Sequence, residues 1–375
     1  MLAILALFVQ GAPQIDETQA SAVSPSAYQV EVVAEGLNDP WDLSWLPSGD
    51  ILVTERPGQL RVIRDGALLP TPVSGVPEVF AASQAGLFEA VPHPDFEDNG
   101  YLYLTYAAGT QGANTLTLAR GVFEETREGG RLSNIEILFT ARAERDTAAH
   151  YGGRMVWLED GTLLLTSGEG YAYKAEAPKL DNHFGKILRL TEDGDPAPGN
   201  PFLNDSDALP EIWSHGHRNP QGIAVTPAGT VYSNEHGPRG GDEMNRITPG
   251  TDYGWPVITY GIDYSGAQIS PYTELPGREQ PLFHWTPSIA PSALLYYDAD
   301  DFPQWQGKLL SSALAYKQIQ IADPGNPDAP QTFILRERDM RIRDVALSPD
   351  GTLFATTEIR GDEAGGEVLR IVPAD

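Results

Sequence analysis

The sequence repeats itself, and the repeat leaves few folds open. PSGDILVTERPGQLRVI (Pro47 to Ile63), EDGTLLLTSGEG (Glu159 to Gly170) with its continuation HFGKILRL, PAGTVYSNEHGPRGGDEMNRI (Pro227 to Ile247) and PDGTLFATTEIRGDEAGGEVLRI (Pro349 to Ile371) share one plan. Each opens on a small polar turn with glycine and continues as an alternating β-branched strand. A Thr/Asn/Ser-rich segment with a glutamate follows, then a Gly-containing loop and a second strand that reads Arg/Lys-x-hydrophobic. Two looser copies, Phe96 to Phe123 and Trp305 to Asp323, complete a set whose turn glycines are Gly49, Gly100, Gly161, Gly229, Gly307 and Gly351. Alternation of period two between turn signals means antiparallel strands, and almost no segment has a helical period. Six such units close radially into an all-β, six-bladed β-propeller, in which circular repetition protects the sheet edges. YQVEVVAEGL (Tyr28 to Leu37) alternates well ahead of the first unit and is expected to complete the last blade and fasten the ring. No low-complexity linker divides the chain, so residues 27–375 read as one propeller domain behind a leader and spacer at 1–26.

The leader reading rests on the apolar run Leu2 to Val9, which is too short to span a bilayer and ends near Ala12 as the core of a secretory signal does. No Lys or Arg precedes it, which is atypical. A periplasmic or secreted protein without membrane insertion is the expectation. Lys and Arg total 25 against 52 acids, a net charge of −27, so the surface repels phosphate backbones and nucleic acid is not a partner. The absence of cysteine excludes disulfides, thiolate zinc sites and cysteine nucleophiles.

Loops at one end of a propeller ring its central channel, so polar residues from different blades converge there. Gln84 opens an apolar run. His150 precedes Gly152-Gly153, where backbone can approach a ligand closely, and Glu169 follows at the corresponding end of the next strand. A histidine oriented by a carboxylate is a general-base arrangement. Arg218 and Asn219, before a Pro-Gln-Gly turn, suit a planar ligand that bears carboxylates. His215 and His217 alternate in strand fashion and read as packing groups, since nothing is spaced to join them as metal ligands. In SNEHGPRGGDEMNRI (Ser233 to Ile247) a Gly-Pro turn runs into Asp242 and Glu243; oxygen donors alone favour Ca²⁺ over zinc or copper. Arg341 and Arg343, two apart, share a strand face and call for an anion.

Taken together these segments resemble the soluble quinoprotein sugar dehydrogenases, the pyrroloquinoline quinone (PQQ) dependent glucose and aldose sugar dehydrogenases also described as glucose/sorbosone dehydrogenases. The similarity runs from about Val30 to Val372 and is carried by GLNDPWDLSWLPSGDILVTER, QAGLFEAVPHPDF, HYGGRM, GHRNPQG, EHGPRGGDEMN…YGWP, WTPSIAPS and RIRDVALSPDG, in that order. The resemblance implies a six-bladed propeller in which His150 is the base that takes the proton of the anomeric hydroxyl while hydride passes to PQQ. It implies that Arg218 polarises the receiving quinone oxygen and that Gln84, Asn219, Arg341 and Arg343 contact the cofactor. The carbonyls of Gly237 and Pro238 would hold the Ca²⁺ that activates PQQ; Glu243 and the Tyr253 carbonyl resemble a second, structural calcium site. Trp285 resembles an aromatic wall over the substrate. Two positions depart from the family pattern: Glu169 stands where the base partner is usually Asp, and the register of a cofactor-binding Lys falls on Ala315. Lys317, two residues on and hence on the same strand face, is expected to take its place. The implied partners are a sugar and a separate electron acceptor. The alternatives are a calcium-dependent, lactonase-like propeller hydrolase and a non-catalytic sugar-binding propeller.

Overall fold

A computed structural model describes residues 11–16, 20–359 and 365–374; the apolar run Leu2 to Val9 lies outside them. Six antiparallel sheets are arranged as a ring, and β-structure dominates: the longest α-helix among the described residues is the single turn Phe96–Asn99. The innermost strands are Pro40–Trp45, Leu87–Pro92, Gly152–Trp157, Pro220–Val225, Pro291–Tyr297 and Arg341–Leu347, one per blade, each touching the next around the full circle. The second strands are Ile51–Glu55, Tyr101–Thr110, Leu163–Ser167, Val231–Glu235, Lys308–Ala313 and Leu353–Glu358. Each of the six recurring glycines sits just ahead of one of these second strands. All six are left-handed, with φ between 66° and 91°, a conformation that glycine adopts without a Cβ penalty.

Tyr28–Leu37 pairs antiparallel with Gly366–Pro373 and closes blade six, as the alternation of that segment predicts. Parts of the segment expected to be a polar spacer are also paired. Gln14–Ile15 runs parallel to the outer strand Phe283–Trp285 of blade four, and Ser21–Ala22 parallel to Thr332–Ile334 of blade five. The apolar faces of neighbouring sheets meet in six separate clusters, one per blade interface. Blades two and three, for example, bury Phe88, Tyr103, Leu165 and Leu188 together, while blades six and one bury Val368, Leu37, Leu43 and Val53.

The centre of the ring is polar. Arg154, on the innermost strand of blade three, is buried with its guanidinium at the axis and reaches every other blade. Its Nη1 lies 3.3 Å from Asp42 of blade one, 3.2 Å from Glu89 of blade two and 3.0 Å from Asp344 of blade six. Its Nε donates to the Gln221 carbonyl of blade four at 3.0 Å, and Nη2 to the Ser292 carbonyl of blade five at 3.3 Å. The guanidinium also lies 4.0 Å above the Trp41 ring. The contacts to Gln221 and Ser292 use carbonyls turned off the ladder, and every innermost strand has a break in register at this level: between Pro40 and Asp42, Leu87 and Ala90, Gly152 and Met155, Pro220 and Gly222, Pro291 and Leu294, and Ile342 and Asp344. Such bulges re-aim backbone at the cost of a ladder bond. The acids outnumber the guanidinium. Burial, then the Asp344 charge, pushes the Asp42 carboxyl up to about 7, and burial, then Asp42, raises Glu89 well above the ordinary range. Replacing Arg154 by Met would strand these acids in the channel, a change that costs about 3–5 kcal/mol when one partner of a buried ion pair is removed. Urea unfolding at pH 7 checks this, with Arg131→Met, whose partner Glu124 lies in the open, as a control expected to change stability by less than about 1 kcal/mol.

Candidate active site

Above the hub the channel opens into a cavity of about 630 Å³, within the range of ordinary ligand pockets. Its walls come from the segments that lead into the innermost strands and from the ends of the second strands: Asp39, Gln84, His150, Gln221, Ala290, Arg341 and Arg343 on one count, Arg56, His236, Leu314 and Glu358 on the other. Asp39, Ser83, His150 and Ala290 all line it with positive φ (49°, 52°, 54° and 54°), a concentration of strained non-glycine backbone at one site.

His150 is fixed from four directions. Its Nδ1 is 2.8 Å from Glu169 Oε1, its backbone N–H donates to Gln84 Oε1 at 2.9 Å, and its carbonyl accepts from Arg145 Nη1 at 2.6 Å. Behind it Gly168 packs so closely that a Cβ there would lie 2.2 Å from the His150 carbonyl. Burial, reinforced by the charges of Arg218 and Arg145, holds the imidazole well below its usual pKa, and burial pushes Glu169 up to about 7. The extra methylene of Glu169 therefore reaches the ring. With Nδ1 engaged by Glu169, Nε2 is the other ring nitrogen.

Arg218 and Asn219 stand behind the cavity wall. Arg218 Nη1 donates to the carbonyls of His236 (3.1 Å) and Gly237 (2.6 Å), and its buried Nε has no partner. Asn219 Oδ1 accepts from the Gly152 N–H at 3.2 Å, joining blade four to the glycine pair after His150. Asp242, the first residue of the strand after the 236–241 loop, is a bracket: its carboxylate accepts from the N–H of Gly237 and of Ala290, both at 2.8 Å. Of the expected calcium donors, the Gly237 carbonyl is engaged by Arg218 and the Pro238 carbonyl takes a long 3.4 Å bond from Ser288. Glu243, partly buried, lies opposite the buried Glu235 in the strand register, with the Asn245 amide at 3.3 Å and Asn245 Oδ1 unpartnered. Burial, then the Glu235 charge, raises the Glu243 pKa well above normal, so this cluster of oxygens suits a proton or a hard cation. Tyr253 stacks on His217 at 4.7 Å beside it. Among the described residues no three or more His, Cys, Asp or Glu side chains form a metal-ligand group.

Arg341 and Arg343 share one face, as their spacing predicts, and Glu358 bridges them: Oε1 to Arg341 Nε at 3.0 Å and Oε2 to Arg343 Nε at 2.7 Å. Burial pulls the Glu358 carboxyl upward, but Arg343 and Arg341 outweigh it and hold it at about 2. Arg56, paired with Asp39, adds a further guanidinium to the wall. Glu358, Arg56, Asp39 and Arg145 escaped the sequence reading, although one signal for Glu358 was present. The glutamate of the repeat recurs at the end of the second strand in blades one, three, four and six, as Glu55, Glu169, Glu235 and Glu358. Each grips the segment that enters its own blade's innermost strand: Glu55 the Asn38 N–H (2.6 Å), Glu169 His150, Glu235 the Arg218 N–H and His217, and Glu358 the two arginines.

The chain and its fold have known counterparts. The family model for glucose/sorbosone dehydrogenase matches residues 37–370. The chain belongs to the glucose/sorbosone dehydrogenase family. It is 38% identical to the aldose sugar dehydrogenase of Escherichia coli over 96% of this chain and 97% of that one. The apo-form crystal structure of the soluble E. coli enzyme superposes with a TM-score of 0.86, covering 92% of this chain and 99% of that chain. The PQQ-bound aldose sugar dehydrogenase of Streptomyces coelicolor, 26% identical, superposes with a TM-score of 0.74 over 93% of this chain and 100% of that chain.

Within the family frame two expectations are corrected. Trp285 is no wall over a substrate: it lies on Phe283–Trp285, the outer strand of blade four, fully buried, and its indole N–H donates to Gln331 at 3.0 Å. Lys317 does not line the cavity either. Residues 314–317 are a hairpin turn rather than strand, so the two-residue spacing from Ala315 carries no shared face. Lys317 has φ 54° and pairs with Asp339 at 2.6 Å. The arginine pair makes the testable contribution to stability. Because the Glu358 pKa is depressed on folding, its stabilisation is present above about pH 4.5 and is lost as pH falls toward about 2. Glu358→Gln is expected to lower the unfolding free energy at pH 7 by about 2–3 kcal/mol and to flatten its decline between pH 4.5 and 2.5, read from urea midpoints at each pH.

Proposed function

We propose that this sugar dehydrogenase is a PQQ- and Ca²⁺-dependent aldose dehydrogenase that oxidises C1 of a sugar to the lactone and hands electrons to a separate acceptor. The observation that carries the reading is the buried His150–Glu169 pair on the wall of a cavity lined by arginines, in a molecule whose net charge is −27. A planar polycarboxylate fits these residues: Arg341, Arg343 and Arg56 face the cavity, and the unpartnered Nε of Arg218 lies behind it. Gln84, Asn219, Arg218, Arg341 and Arg343 would hold PQQ; the carbonyls of Gly237 and Pro238 would give Ca²⁺ two of its oxygens, and Glu243 with the Tyr253 carbonyl a second ion. Bound there, the quinone supplies a two-electron acceptor for the hydride of C1 and the ion a Lewis acid that strengthens it.

The protein's own part is proton transfer and orientation. Neutral at pH 7 because it is buried beside Arg218 and Arg145, His150 can accept the proton of the C1 hydroxyl at Nε2. Glu169 decides whether it does. Ionised, it accepts from Nδ1–H and leaves Nε2 with its lone pair. Protonated, it donates to Nδ1, which puts the ring proton on Nε2 and blocks the base. Arg218, anchored on the His236 and Gly237 carbonyls, is placed to stabilise negative charge that develops across the cavity from the base.

Titration of the apoprotein with PQQ in millimolar Ca²⁺, followed by quinone absorbance and by dye reduction with a panel of aldoses, tests the proposal. Stoichiometric binding with sugar-dependent reduction supports it; a folded protein that binds no PQQ sinks it. His150→Ala is expected to lower turnover by about 10²–10⁴ while PQQ binding persists. The rate should rise with pH through about 7, where Glu169 ionises, and Glu169→Gln should abolish that acidic limb in the pH–rate profile.

A further inference from the structure

Two tyrosines outside every apolar cluster of the fold stand at the cavity: Tyr264 lines it, and Tyr171 packs against His150 of its wall. Tyr171 follows Glu169-Gly170 in blade three, is 53% exposed, and its ring stands at 5.3 Å and 81° to the His150 imidazole. Its φ is 65°, a costly conformation for a bulky residue, so the backbone is strained where the ring meets the histidine. Tyr264 lines the cavity from the long loop of blade four, is 58% exposed, and lies 6.0 Å from the Arg218 guanidinium. Its loop is fastened rather than loose: Asp263 accepts from Ser265 N–H (2.9 Å) and bonds through its own N–H to the Ala267 carbonyl, while Ile262 and Arg239 exchange both backbone bonds.

Water-exposed aromatic faces at a cavity, one of them on strained backbone, are explained by an apolar partner that covers them. A sugar offers one, because a pyranose ring presents a C–H face between its equatorial hydroxyls, and a tyrosine ring covers such a face with little side-chain entropy to lose. We propose that Tyr171 and Tyr264 form the sugar-binding subsite: Tyr171 holds the ring over His150, and Tyr264 covers it from the Arg218 side. This rests on the reading of the chain as an aldose dehydrogenase.

Contacts that hold the sugar equally in the ground and transition states appear in KM and spare kcat. In the PQQ- and Ca²⁺-loaded enzyme, Tyr171→Ala and Tyr264→Ala should each raise the KM for aldoses about five- to tenfold, with kcat within about threefold, as expected for loss of one stacked ring. Tyr171→Phe and Tyr264→Phe, which keep the ring, should stay within about twofold of the parent KM. An active parent whose alanine variants keep its KM overturns the subsite and leaves the dehydrogenase reading standing. A parent with no sugar-dependent turnover overturns that reading instead, and the subsite is then decided by titrating the protein with aldose and following tyrosine fluorescence. A saturable change lost in both alanine variants supports it, and no change in the parent overturns it.

Discussion

One guanidinium organises this molecule. A propeller's apolar surface lies between its blades, so the sheets could pack pairwise without agreeing on a common centre. Arg154 imposes that agreement by bonding to all five other blades from its place on the third. Its donors point in fixed directions, so each innermost strand must bring an oxygen to a set place, and each breaks register at that level. The same breaks leave Gly152, Gln221 and Arg343 lining the cavity above, so the floor of the site and the centre of the ring are one piece of construction.

The acids of the repeat extend this economy upward. A glutamate at the end of a second strand sits beside the segment that enters the innermost strand of its own blade, and it either fixes backbone or aims a side chain. In blade one Glu55 holds the Asn38 N–H; in blade three Glu169 orients His150; in blade six Glu358 aligns two arginines. A repeated structural anchor has thus become a histidine partner in one blade and an arginine clamp in another. Both uses shift the carboxyl, and in opposite directions. Glu169 is pushed up to about 7 by burial, whereas Glu358 is held near 2 by its cations.

The blade count was legible because the second strands and their left-handed glycines repeat. The innermost strands were not part of the repeat, since they carry bulges and hub residues instead of a plain alternation. That is why Arg154 passed unnoticed within HYGGRM and Arg56 within a short turn. The placement of His150, Arg341 and Arg343 followed from strand spacing and from family likeness, and the ring delivers them to one cavity. The errors have different sources: strand geometry assumed to continue at Lys317, family likeness at Trp285, and residue chemistry without geometry at Asp242. Lys317 fell in a hairpin turn, and Trp285 on an outer strand, buried and away from the cavity lining. Asp242, read with its neighbour as part of an ion cage, serves to bracket two loops.

Ring closure also dictates when the molecule can exist. The closing sheet needs both Tyr28–Leu37 and Gly366–Pro373, and the hub needs Asp344. During synthesis the first five blades can pair internally, yet the circle has no partner for its opening strand until the last one emerges. Contacts of such long sequence separation form late and slowly. A chain built this way stays threadable until its final strand is made.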